Sequence, residues 1–104
     1  MNRRVVITGT GILSPIGNST QEFLTSLQCG SNGISTISLF DTTNFNVKIA
    51  GEVKINFDEH FDKHEQNRMD RFTSMALIAS NEAITESGIN KSNNLNRVGV
   101  IIGS

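Results

Sequence analysis

Two fully apolar runs near the ends of the chain constrain its fold most: Val5-Val6-Ile7 and Val98-Gly99-Val100-Ile101-Ile102. Neither alternates with polar residues, so neither reads as a strand with one wet face. β-branched runs of this kind fill strands buried on both sides, in parallel sheets whose two faces are covered by helices. The pattern predicts strands over 3–9 and 98–102, and with them an α/β fold.

Two substantial helices are available to cover such a sheet. Ser19 with Glu22 three residues on forms a capping box, Phe23, Leu24 and Leu27 follow at helical spacing, and Gly30 supplies the stop. In the longer helix Met69, Phe72, Met75, Ala76, Ala79 and Ala83 share one stripe, with Gly88 where a left-handed cap is wanted. The small alanines predict close packing on that stripe. Residues 31–45 are rich in Ser, Thr, Asn and Asp and read mainly as loop. Residues 47–54 alternate with period two and read as a peripheral strand with one wet face. Residues 58–68, polar throughout except for Phe61, read as a solvated turn or short helix leading into the longer helix. Two helices are few for a doubly covered sheet, and Gly103-Ser104 follow directly on what should be its most buried strand. The expectation is that residues 1–104 are part of a larger domain.

Leu, Ile, Val and Phe supply 30 of 104 residues, which places the chain among globular rather than disordered sequences. Nine basic against ten acidic side chains give a net charge of -1. No whole-chain field attracts nucleic acid or an anionic membrane, so an electrostatic partner must be met by a local patch. No apolar run approaches the roughly 20 residues of a membrane-spanning helix, and the first residues lack a secretory h-region. A cytoplasmic protein is expected, and the lone Cys29 fits a reducing compartment.

Few constellations carry chemistry. Gly9-Thr10-Gly11 after an apolar strand resembles a nucleotide-binding turn, but Ser14 stands where the third glycine belongs and no acidic residue follows at the required distance. A small nucleotide-binding α/β module is thus one alternative. Cys29 falls at a helix C-terminus, where the dipole opposes a thiolate, and reads as a small buried hydrophobe. His60 and His64 are four apart, yet no third strong ligand accompanies them, so no metal is expected. Lys63, His64, Arg68 and Arg71 fall at spacings that project together at the start of the longer helix, as a cationic patch suited to an acidic protein partner or as a solvated face.

Taken in order, Arg3-Arg4-Val5-Val6-Ile7-Thr8-Gly9, Ser14-Pro15-Ile16-Gly17-Asn18, Phe40-Asp41-Thr42, Lys48-Ile49-Ala50-Gly51-Glu52-Val53, Met69-Asp70-Arg71-Phe72-Thr73 and Arg97-Val98-Gly99-Val100-Ile101-Ile102-Gly103-Ser104 resemble the opening of the 3-oxoacyl-acyl-carrier-protein synthase II family, β-ketoacyl synthases of the thiolase superfamily. The resemblance implies a thiolase-like fold, of which residues 1–104 form the N-terminal part of the first half, with a mixed, mostly parallel sheet and packed helices. It implies a decarboxylative Claisen condensation of acyl and malonyl groups carried on acyl carrier protein, without metal or nucleotide cofactor, in a homodimer. The nucleophilic cysteine and two histidines of that family have no counterpart here. Cys29, His60 and His64 match none of them, so the chain is expected to be inactive alone. The resemblance also implies docking of the acidic carrier protein on Lys63, His64, Arg68 and Arg71, Arg68 foremost. A non-catalytic carrier-binding or interface domain is the remaining alternative.

Overall fold

The computed structural model describes residues 2–92 and 94–104. Helix α1, Thr20–Cys29, starts at Ser19, whose hydroxyl accepts from Glu22 N at 3.2 Å. Glu22 does not complete the expected box. Its carboxylate reaches one residue further back and accepts from Asn18 N at 2.7 Å. The helix ends at Gly30, which takes φ 67°, while the N–H groups of Gly30 and Ser31 donate to Leu27 and Ser26 carbonyls. That left-handed geometry strains any residue with a Cβ, although the space around Gly30 is open. Gly30→Ala is therefore expected to lower stability by about 1 kcal/mol, read from the denaturation midpoint, with no change in the packing of neighbours.

The 31–45 segment contains a strand that the sequence reading passed over. Strand β1, Ile34–Thr36, pairs antiparallel with β2, Ile49–Gly51, in the register Ile34 to Gly51, Ser35 to Ala50 and Thr36 to Ile49. The expected face of β2 is also reversed. Ile49 is 58% exposed, whereas Glu52 just beyond the strand is buried. The reason is polar: Glu52 accepts from Ser38 N, Ser38 Oγ and Leu39 N at 2.8–3.1 Å, so a carboxylate ties the two ends of the hairpin. The Ser38 hydroxyl bond leads, over the opposing effect of desolvation, in holding the Glu52 carboxyl below its ordinary value.

Above this hairpin sits the turn Ser14–Gly17, closed by paired backbone bonds of 2.9 and 3.2 Å between its end residues. Its Pro15 ring lies directly over Gly33 and Gly51, where an added Cβ would come 2.7 and 2.9 Å from the ring carbons. Residues 11–20 are all half-buried, held between the hairpin on one side and the long helix on the other. That helix, α3, Arg71–Ser87, ends at Gly88 with φ 65°, as its glycine stop predicts. The short helix α2, Lys63–Gln66, precedes it as a separate element.

Among the described residues the two apolar end runs carry no ladder partner. Val5 and Ile7 are 91% and 87% exposed, and Val100 and Ile101 are 82% and 98% exposed. Among the described residues the sheet formed is the antiparallel β1–β2 pair, and no apolar side chain is fully buried. The radius of gyration is 17.3 Å, against about 13 Å for a compact chain of this length. The strands predicted over 3–9 and 98–102 therefore have the composition of core strands without the pairing or the cover that such strands require.

Candidate functional site

Two regions bring side-chain chemistry together. The first is the turn after the N-terminal apolar run. Gly9 and Gly11 lie against the α3 backbone at Ala83 and Ala79, so closely that a Cβ on either would collide with a helix carbonyl. This is the close packing that the alanine stripe predicts, with glycines as the facing partner. The polar groups of the turn are met by α3 carboxylates. Thr10 N donates to Glu86 Oε2 at 2.8 Å, Ile12 N to Glu82 Oε2 at 3.0 Å, and Thr20 N to Glu82 Oε1 at 2.7 Å. Desolvation pushes the Glu82 carboxyl up, but the amides of Thr20 and Ile12 and the Thr20 hydroxyl outweigh it and hold the group below its ordinary value.

This arrangement corrects the nucleotide-binding alternative. A phosphate site needs free amides and a positive helix end at the glycine turn. Here the Thr10 and Ile12 amides, and the first N–H of α1, are already bonded to carboxylates whose charge repels an anion.

The second region is the basic segment. Asn56 caps a 3₁₀ turn, Phe57–Glu59, by accepting from Asp58 N at 3.1 Å. Asp62 and Glu65 then form a reciprocal capping box on α2, with bonds of 2.8 and 3.0 Å. Gln66 Nε2 donates to Asp58 Oδ1 at 2.8 Å and to Phe61 O at 3.0 Å, which folds the two short elements onto each other. Lys63, His64 and Arg68 are all exposed on this segment. They do not share one face of the long helix as their spacing implies. Lys63 and His64 lie on α2, Arg68 in the turn after it, and only Arg71 on α3. Arg71 is also the one with its guanidinium engaged: it donates to Val53 O at 2.8 Å and stacks over the Phe57 ring at 5.2 Å.

Phe61 and Leu77 line two open clefts beside this segment. The larger, about 520 Å³, also takes in His60, Ile78, Asn81 and Glu82; the smaller, about 220 Å³, is bordered by Arg68, Met69 and Glu65. Cys29 is the last residue of α1, at the negative helix end as its sequence position implies, but it is exposed and not a core residue. Among the described residues no three His, Cys, Asp or Glu side chains converge as metal ligands, and no helix is long and apolar enough to cross a membrane. Sequence reasoning missed the carboxylates Glu52, Glu82 and Glu86, which hold the fold's junctions. The spacing of Glu82 and Glu86, one helical turn apart beside the alanine stripe, was the available signal for two of them.

Comparison with known proteins agrees along the chain. The family described as "Beta-ketoacyl synthase, N-terminal domain" matches residues 2–104. The 3-oxoacyl-[acyl-carrier-protein] synthase 2 of Staphylococcus aureus (strain COL) is 46% identical over 105 residues, covering 99% of this chain and 25% of its own length. The protein of the same name from Vibrio cholerae is 40% identical, covering 98% of this chain and again 25% of its own. Among solved structures, the ishigamide ketosynthase/chain length factor superposes with a TM-score of 0.75 at 31% identity, over 85% of this chain and 22% of that one. The chain thus spans about a quarter of the length of the curated relatives it matches. Its likeness to a ketosynthase extends to the course of the backbone, and with the family match running from residue 2 to residue 104 the chain belongs to the β-ketoacyl synthase family, as sequence of its N-terminal domain.

Proposed function

We propose that this chain is the N-terminal part of a 3-oxoacyl-acyl-carrier-protein synthase that lengthens fatty acids by decarboxylative Claisen condensation. In that reaction an acyl group passes from a carrier-protein thioester to a cysteine thiolate. Malonyl-carrier protein then loses carbon dioxide, and the resulting carbanion attacks the acyl-enzyme carbonyl, freeing the thiolate and forming the 3-oxoacyl thioester. The observation that carries the reading is 46% identity to a synthase of that name across 99% of the chain. The nucleophile and the two histidines come from other parts of the enzyme. Cys29 is exposed at the negative end of α1, the wrong end to stabilise a thiolate.

In the same reading the apolar runs at 3–9 and 98–102 join a mostly parallel sheet of the thiolase type, which covers the side chains now exposed. The enzyme is a cytoplasmic homodimer. Its acidic carrier protein docks on the exposed cations of the α2 segment, Lys63, His64 and Arg68, with Arg68 foremost. Exposed charges of this kind act on encounter and orientation more than on final affinity. Arg68→Glu in the full-length protein is expected to weaken acyl-carrier-protein binding roughly three- to tenfold at low salt, with the difference fading as salt rises. Equal affinity of variant and wild type at low salt would remove Arg68 from the docking surface.

A further inference from the structure

Spacing groups Arg71 with the docking cations, yet its surroundings differ from theirs. One guanidinium nitrogen donates to Val53 O at 2.8 Å, which pins the exit of the β1–β2 hairpin to the first residue of α3. The guanidinium plane also meets the Phe57 ring, its carbon 5.2 Å from the ring centroid. Phe57 opens the 3₁₀ turn whose next residue, Asp58, accepts from Gln66 Nε2 at 2.8 Å. Gln66 is the last residue of α2, the helix that carries Lys63 and His64. A contiguous set of contacts therefore runs from Arg71 through Phe57 and Asp58 to the basic helix. Lys63, His64 and Arg68 make no comparable anchoring contact among the described hydrogen bonds and stacked pairs.

We propose that Arg71 is a positioning residue for the cationic segment and not a contact to the carrier protein. It holds the 57–66 connection against the start of α3, and so sets where α2 presents Lys63 and His64. The inference rests on the carrier-protein reading for its consequence, but not for its geometry.

The chemistry of the side chain separates the two roles. A lysine keeps the positive charge that a direct docking contact needs, but lacks the planar, directed fork that stacks on Phe57 while donating to Val53 O. In the full-length protein, Arg71→Lys and Arg71→Gln are both expected to weaken acyl-carrier-protein binding, by roughly three- to fivefold. Both are expected to speed hydrogen exchange at the His60, Phe61 and Gln66 amides, which bond within the segment. Arg68→Gln weakens binding and leaves that exchange unchanged. Adding Lys63→Gln to Arg71→Lys produces a smaller loss than the two separate effects combined, because Arg71 acts through the placement of the helix that carries Lys63. Wild-type affinity in Arg71→Lys alongside a loss in Arg71→Gln would make Arg71 a direct charge contact and overturn the proposal, as would unchanged exchange in Arg71→Lys. If instead Arg68→Glu leaves binding intact while Arg71→Lys still loosens residues 57–66, the docking reading fails and the positioning role stands.

Discussion

Gly11→Ala is expected to destabilise the full-length protein by about 3 kcal/mol, at the upper end of the range for overpacking. A Cβ at this position meets the Ala79 carbonyl, with its carbon at 2.8 Å and Ala83 N at 3.0 Å. These are helix backbone atoms, so no side-chain rotation can relieve the collision. The turn or α3 must move, and movement breaks the carboxylate bonds to Thr10, Ile12 and Thr20 together. The contrast with Gly30→Ala is instructive, since that change meets open space and costs only the left-handed conformation. Denaturant titration of the two variants checks the order. Equal midpoints would mean that the contact between the turn and α3 contributes nothing beyond its backbone geometry.

The second large effect is expected at Glu82. Its two oxygens accept separately from Ile12 N and Thr20 N, so Glu82→Gln leaves one amide facing an NH2 group instead of an acceptor. The expected loss is about 1 to 2 kcal/mol near neutral pH, after allowance for the solvent reaching this site. The pH dependence has a definite sign. Because the folded protein holds the Glu82 carboxyl below its ordinary 4.5, the stabilisation is full above that value. It is lost as the pH falls through the lower, folded value. Glu82→Gln should therefore flatten the acid limb of the stability profile below about pH 4.5 and lower the plateau above it. A variant whose loss of stability is the same on both sides of pH 4.5 would show that the carboxylate is not the operative group.

What could be read from the sequence was mostly local. Ser19 and Gly30 bracket α1, and Gly88 closes α3, because caps act over three or four residues and announce themselves in residue type. The strand β1 escaped notice because Ile34-Ser35-Thr36 is short and set among turn formers, and its pairing partner lies about 15 residues away. The face of β2 differs from its apolar alternation for a related reason. Alternation of apolar residues marks Ile49 for the inside, but the buried position goes to Glu52, whose bonds to Ser38 and Leu39 depend on how the hairpin closes. The division of the basic cluster was partly legible, since 58–68 reads as a turn or short helix ahead of the longer one and α2 with its following turn matches that. Spacing places Lys63, His64, Arg68 and Arg71 on one helix, and the break between α2 and α3 turns three of them into a separate segment. The expected parallel sheet is written in the composition of 3–9 and 98–102, yet pairing is a property of neighbours, and these runs have none among the described residues.

The carboxylate bonds between the first turn and α3 also bear on the order of events at the ribosome. Thr10 N waits for Glu86, 76 residues later in the chain. At about 5–20 residues per second, that partner is made roughly 4 to 15 seconds after it. For that interval Val5-Val6-Ile7 is an unpaired β-forming run, and the segment that follows it lacks its bonds to α3. Arg3 and Arg4, immediately before the run, place two like charges where edge-to-edge association would begin, so the sequence carries its own safeguard during that interval.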